Sequence, residues 1–153
     1  QSMSEENIMI LKLKDGEVKI ELFSDIAPNH VKRIKELVKD KFYDGIIFHR
    51  VIEGFMAQTG DPDGVGTGGS GKNLKAEFSD YEYKYGTVGM ARSMNPDSGD
   101  SQFFICFDGC SHLTGQYTVW GQVVSGMDAV EKLAIGEPPS NPDKMLTVKL
   151  GKK

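Results

Sequence analysis

The sequence predicts a mainly β fold with two helices, and three observations predict it. Residues 8–22 alternate apolar and polar positions about an Asp-Gly pair, residues 46–124 break into short apolar and aromatic runs punctuated by glycine, and two stretches switch to a helical period. Many short strands with glycine-rich turns suggest a sheet that is closed or nearly closed on itself, with the helices covering its ends.

In the first stretch, "NIMILKLKDGEVKIELF", Ile10, Leu11 and Leu13 lead into Asp15-Gly16 while Val18, Ile20 and Leu22 lead out, the pattern of a β-hairpin. In "SDIAPNHVKRIKELVKDKFYDG" the period changes: Val31, Ile34, Leu37 and Val38 share one helical face, and Pro28 suits a first turn. The strand-like pieces follow as "GIIFHRVI", "FMAQTG", "GTVGMAR", "SQFFICF" and "YTVWGQVV". A second helix is predicted in "SGMDAVEKLAIG", with Met127, Val130, Leu133 and Ala134 as its stripe and Gly136 as its stop. "PPSNP" reads as a loop and "KMLTVKL" as a last strand.

A chain of 153 residues with 39% apolar content suits one domain with a real core. Its net charge of −4 gives no basic footprint for a nucleic acid partner. No run approaches the roughly 20 apolar residues that span a bilayer, so no membrane association is expected. Gln1-Ser2 before Met3 reads as the scar of a cleaved tag, and residues 1–7 as a disordered N-terminus. Cys106 and Cys110, in "CFDGC", match neither a redox CxxC nor half of a common zinc pattern; two reduced thiols in a cytoplasmic protein are expected.

Several motifs imitate chemistry. "GTGGSGK" at 66–72 has the body of a phosphate-binding loop, but Asn73 stands where Ser or Thr should hold magnesium, and no strand and helix flank it. "DPDG" at 61–64 starts like a calcium loop but contains Pro62 and lacks the later glutamate, which favours a turn. His30, His49 and His112 lack the spacing of a helical metal pair, and Ser101 lacks a nucleophile elbow.

Arg50 is different. It sits in "FHRVIEGFMAQTGD" beside Phe48, Phe55 and Met56, with no carboxylate facing it across the next few residues, and standing alone it would read as a surface-strand arginine. Together with "GTGGSG", "GTVGMARSMNPDSGDSQFFI" and "HLTGQYTVWGQVVSGMDAVEKL", this stretch resembles the cyclophilin family of peptidyl-prolyl cis-trans isomerases, from about Ile8 to Leu150 and in the family's order. The form "MARSMNPDSGDSQFFI" is more similar to bacterial and other divergent members.

The resemblance implies a single isomerase domain over 8–150, an eight-stranded antiparallel closed β-barrel capped by two helices, and no cofactor or metal. It implies rotation about X-Pro bonds in proline-containing peptides and in unfolded or flexible proteins, assisting their folding; a monomer is the default expectation. By the same resemblance Arg50 and Gln58 are catalytic, and Phe55, Met56, Phe104 and Leu113 form the proline pocket. Gln102 matches a further binding position, and the backbone of Ala91 and Arg92 pairs with an extended peptide. Strict alternation would put Phe55 and Met56 on opposite faces, so both line one pocket only if Gly54 or a bulge alters the backbone.

The chain also departs from the family. His112 stands where many members carry the tryptophan that contacts the immunosuppressant cyclosporin, and Tyr117 where a histidine often lines the pocket, so cyclosporin binding of reduced affinity is expected. Glu53 replaces a proline, Thr59 a glycine, and Arg92 an asparagine of the animal proteins, which adds a cation beside the groove and suits acidic residues near the proline. One rival reading is a proline-peptide binding or scaffold module with little turnover. Another, a barrel carrying a small apolar ligand, is weakened by Phe103, Ile105 and Val119, bulky residues that alternation points inward.

Overall fold

The structure, a computed structural model of the chain, describes residues 7–151. The expected N-terminal disorder lies outside the described residues except at Asn7, whose carbonyl accepts from the Leu22 N–H.

The described residues form eight strands: β1 (Ile8–Leu13), β2 (Gly16–Leu22), β3 (Arg50–Ile52), β4 (Met56–Thr59), β5 (Thr87–Met90), β6 (Phe103–Cys106), β7 (Val119–Ser125) and β8 (Thr147–Gly151). With them go the helices α1 (Pro28–Lys39) and α2 (Met127–Glu131) and a 3-10 turn at Ser111–Leu113. The strands form one sheet in the order β3-β4-β6-β5-β7-β2-β1-β8, antiparallel throughout.

The sheet curls without closing through a full ladder. Its outer strands, β3 and β8, share no register; the seam is held by isolated bridges from Ile47 to Lys144 and from Val51 to Gly136. A closed barrel therefore overstates the geometry, since the chain before β3 and the chain after α2 meet through these bridges and single bonds such as Gly45 N–H to the Met145 carbonyl, not through a continuous ladder.

The first hairpin forms with Leu13 opposite Gly16, so Lys14 and Asp15 make its loop and Gly16 opens β2, one residue earlier than an Asp15-Gly16 loop would have it. Helix α1 starts at Pro28 and buries Val31, Ile34, Leu37 and Val38 as its period predicts. The second helix is shorter than its apolar stripe: α2 ends at Glu131, and Leu133 is buried from the following turn instead.

The main core fills the curl. Met9, Leu11, Val18, Ile20, Phe103, Ile105 and Trp120 meet the buried face of α1 there, with Ala129 and Val130 of α2. A second cluster lies on the other face of β4 and β6: Met56, Tyr83, Phe104, Cys106, Cys110 and Val119. Phe103 and Ile105 point inward as alternation requires, but Val119 joins the outer cluster. The ladder between β5 and β7 shifts between Val88 and Gly89, pairing Gly89 with Val119 and Val88 with Gly121, and Trp120 is the residue turned inward.

Cys106 and Cys110 are not free thiols. They form a disulfide with Cα atoms 6.1 Å apart, tying the end of β6 to the start of the 3-10 turn. A four-residue separation is enough here because the intervening chain doubles back, with Gly109 N–H bonded to the Gly54 carbonyl.

Candidate active site

The outer cluster is the floor of a cavity of about 130 Å³ lined by Arg50, Phe55, Met56, Gln58, Ala91, Arg92, Phe104, Leu113 and Tyr117. Phe55 and Met56 share it because they are not in one strand. Gly54 takes φ +77°, Phe55 ends the turn with its N–H on the Ile52 carbonyl, and β4 begins only at Met56. The Phe55 carbonyl then accepts from Phe107 N–H, which fixes the ring against the outer face.

Register delivers the polar side. Arg50 pairs with Gln58 across β3 and β4, and Gln58 pairs with Phe104 across β4 and β6, so guanidinium, amide and pocket floor project from adjacent positions on the same face. Arg50 Nη1 donates to Gln58 Oε1 over a long 3.3 Å, Gln58 Nε2 donates to Gln102 Oε1 at 3.0 Å, and Gln102 Nε2 donates to the Gly68 carbonyl at 2.9 Å. Arg50 is nevertheless not unpaired. Its Nε donates to Glu137 Oε1 at 3.0 Å, a carboxylate 87 residues away that no inspection of the local sequence reveals.

Arg92 bridges the far wall. Its Nε and Nη2 both donate to the Gln116 carbonyl, at 3.1 and 2.8 Å, and its Nη1 donates to the Ser93 carbonyl at 2.9 Å. The guanidinium stacks on Tyr117, which meets Phe104 edge-on with ring centroids 5.7 Å apart. Beneath them the Tyr83 hydroxyl donates to the Tyr117 carbonyl, and burial raises the Tyr83 pKa far above that of a free phenol, so it remains a donor.

Two site residues expected from the sequence stand apart from this cavity. Gln102 lines an adjoining one of about 370 Å³, together with the glycine loop, Ala91, Arg92 and Asp100. His112 lies at the rim, its ring stacked on Phe55 at 5.7 Å, and does not line the cavity floor.

The glycine loop does not present a phosphate cradle, because carboxylates already occupy the N–H groups of Gly66, Ser70 and Gly71. Asp61 accepts from the backbone of Asp63, Val65 and Gly66, and Asp100 accepts from Ser70 and Gly71 as well as the Ser70 hydroxyl. "DPDG" is accordingly the turn it was read to be. Ser101 is buried, with its hydroxyl donating to the Gly60 carbonyl, and has no base beside it. Among the described residues no group of His, Cys, Asp and Glu could hold a metal ion, and no helix is long and apolar enough to cross a membrane.

Residues 8–150 match the family model for cyclophilin-type peptidyl-prolyl cis-trans isomerases. The chain belongs to this family. A probable peptidyl-prolyl cis-trans isomerase of Brucella suis is 54% identical to it, over 92% of this chain and 81% of that one. Peptidyl-prolyl cis-trans isomerase B of Bacillus subtilis is 40% identical, over 82% and 89%. Among solved structures, a cyclophilin-type isomerase of Cryptosporidium parvum, determined in the presence of the dipeptide Ala-Pro, superposes with a TM-score of 0.89 at 27% identity, covering 95% of this chain and 99% of that one.

The protein is therefore a peptidyl-prolyl cis-trans isomerase, with the curled cyclophilin sheet and two helices. Two contributors to this cyclophilin's site escape sequence reasoning. Glu137 lies in a segment that reads only as loop, and the disulfide looks like two isolated thiols. The one available signal for the first is chemical: an arginine beside aromatic residues attracts a counter-ion, and the proline-rich stretch "EPPSNPD" offers two acids, Glu137 and Asp143, which the sequence does not tell apart.

Proposed function

We propose that isomerisation takes place in the 130 Å³ cavity, with Arg50 and Gln58 acting on the X-Pro bond while Phe55, Met56, Phe104 and Leu113 hold the proline ring. The observation that supports this most is convergence: a fixed cation and an apolar pocket of side-chain size open on one another.

The X-Pro barrier, about 18–20 kcal/mol, is the loss of amide resonance on twisting, which leaves the proline nitrogen with a lone pair. A donor fixed beside that nitrogen stabilises the twisted form more than the planar one, so it lowers the barrier rather than merely tightening binding. Arginine suits the task because it stays charged and offers several donors in a rigid fork. No bond is made or broken, so the reaction as proposed calls for no cofactor or metal.

Arg50 is not sufficient by itself. Five decades of acceleration would require about 7 kcal/mol, whereas a hydrogen bond to a charged group contributes roughly 1.5–3 kcal/mol. The remainder falls to anchoring the residues on either side of the bond, through the Ala91 and Arg92 backbone and Gln102, and to the dry pocket. Tyr117 completes its outer wall, and His112 stands at the rim against Phe55.

The substrates proposed are exposed X-Pro bonds of proline-containing peptides and of unfolded or flexible proteins, whose folding is otherwise delayed by tens of seconds or more. A monomer is the default reading, since the proposed reaction needs no group beyond the residues of this cavity. A cytoplasmic setting is proposed with it, although Cys106 and Cys110 are joined and are not the free thiols expected there.

Exchange NMR of an Ala-Pro peptide with a trace of the protein tests the reading. Rapid cis-trans exchange is expected; saturable binding with no acceleration would make the site a recognition module.

A further inference from the structure

Glu137 follows Gly136, and Gly136 exchanges two backbone hydrogen bonds with Val51, the neighbour of Arg50: Val51 N–H to the Gly136 carbonyl at 2.8 Å and Gly136 N–H to the Val51 carbonyl at 2.9 Å. The carboxylate is thus carried on backbone bonded directly to β3. Most surface ion pairs contribute little because two long, free side chains must be ordered together. Here both side chains start from a shared bridge, so the ordering cost is reduced.

The choice of nitrogen matters as well. Glu137 takes Nε, at 3.0 Å, while Nη1 turns to Gln58. Occupying Nε fixes rotation of the guanidinium plane and leaves the Nη side of the fork facing the pocket. Among the described residues no other ion pair involves Arg50.

We propose that Glu137 is a positioning residue for the isomerase, holding Arg50 in the orientation that stabilises the twisted X-Pro bond. This rests on the role given to Arg50 above. A preorganised donor needs no reorientation as the bond twists, so the effect falls on turnover and not on binding of the planar ground state.

The test compares wild type, Glu137→Ala and Glu137→Gln by peptide exchange NMR and follows the Arg50 Nε–H resonance in each. Glu137 is 57% exposed, so neither change disturbs the core. Glu137→Ala is expected to lower kcat about three- to fivefold with KM nearly unchanged. Glu137→Gln, which keeps an acceptor for Nε, should fall between it and wild type, and the Nε–H resonance should move in both.

Wild-type kcat in Glu137→Ala, or an unmoved Nε–H, would overturn the proposal. So would a rise in kcat in either variant, which would mean that the carboxylate only damps the arginine's charge. If Nε–H moves but Arg50→Ala turns over like wild type, the contact is real, the reading of Arg50 fails, and the role of Glu137 falls with it.

Discussion

The guanidinium carbon of Arg92 lies 4.5 Å from the centroid of the Tyr117 ring. The same guanidinium holds the Gln116 carbonyl through two N–H groups, so one side chain fixes both the backbone and the ring of the segment that walls the pocket.

Arg92→Ala is therefore expected to loosen Tyr117 and raise KM for proline peptides about three- to tenfold, with a stability loss of about 1 kcal/mol. Arg92→Lys should recover little, because an ammonium cannot stack and donate twice in one plane. Unchanged KM in both variants, measured with the same peptide, would refute this role. Since Nε, Nη1 and Nη2 are already engaged with carbonyls, a peptide series differing only in flanking charge should show a small preference for acidic residues at most.

His112 bears on cyclosporin. Its imidazole stacks on Phe55 with an interplanar angle of 27°, covering less area than an indole and matching the directed indole N–H only in part. Measurable but weakened binding is expected, with His112→Trp tightening it about five- to tenfold. Nanomolar affinity of the unaltered protein by calorimetry would contradict this.

Stability should fall in mild acid. Burial lowers the pKa of both His30 and His49 below the usual 6.5, against the opposing pull of Glu77 on His30 and of Asp61 on His49. The 2.6 Å contact between His30 Nδ1 and Glu77 Oε1 pulls the other way, and burial outweighs it. Below about pH 6.5 the unfolded chain takes up protons that the folded one resists, so the contribution of both groups is complete above that value and is lost as pH drops toward the folded pKa values. Urea midpoints should decline from pH 7.5 to pH 5; a flat profile would show that these rings are not held neutral.

Much of the fold is legible in the sequence because it is written in local periodicity. The first hairpin, the buried face of α1 and the alternation of Phe103, Phe104, Ile105 and Cys106 in β6 each follow from a repeat of 2 or 3.6. What was hidden depends on contacts distant in the chain. Val119 points outward because a register shift lies beside it in β5, and Phe55 joins Met56 because a glycine turn ends between them. Arg50 is conspicuous locally, but its partner Glu137 reaches it only through the seam of the sheet. The apolar pocket was legible through family likeness alone, since buried phenylalanine, methionine and leucine look the same in a pocket floor as in a core.

The central claim is that Arg50 stabilises the twisted bond, and the most direct measurement is the exchange rate of a saturating proline peptide with wild type and Arg50→Ala at equal concentration. The account predicts a loss of about ten- to 150-fold, with acceleration over the uncatalysed rate retained through the pocket and the Gln58 and Gln102 contacts. An undiminished rate in Arg50→Ala would contradict it.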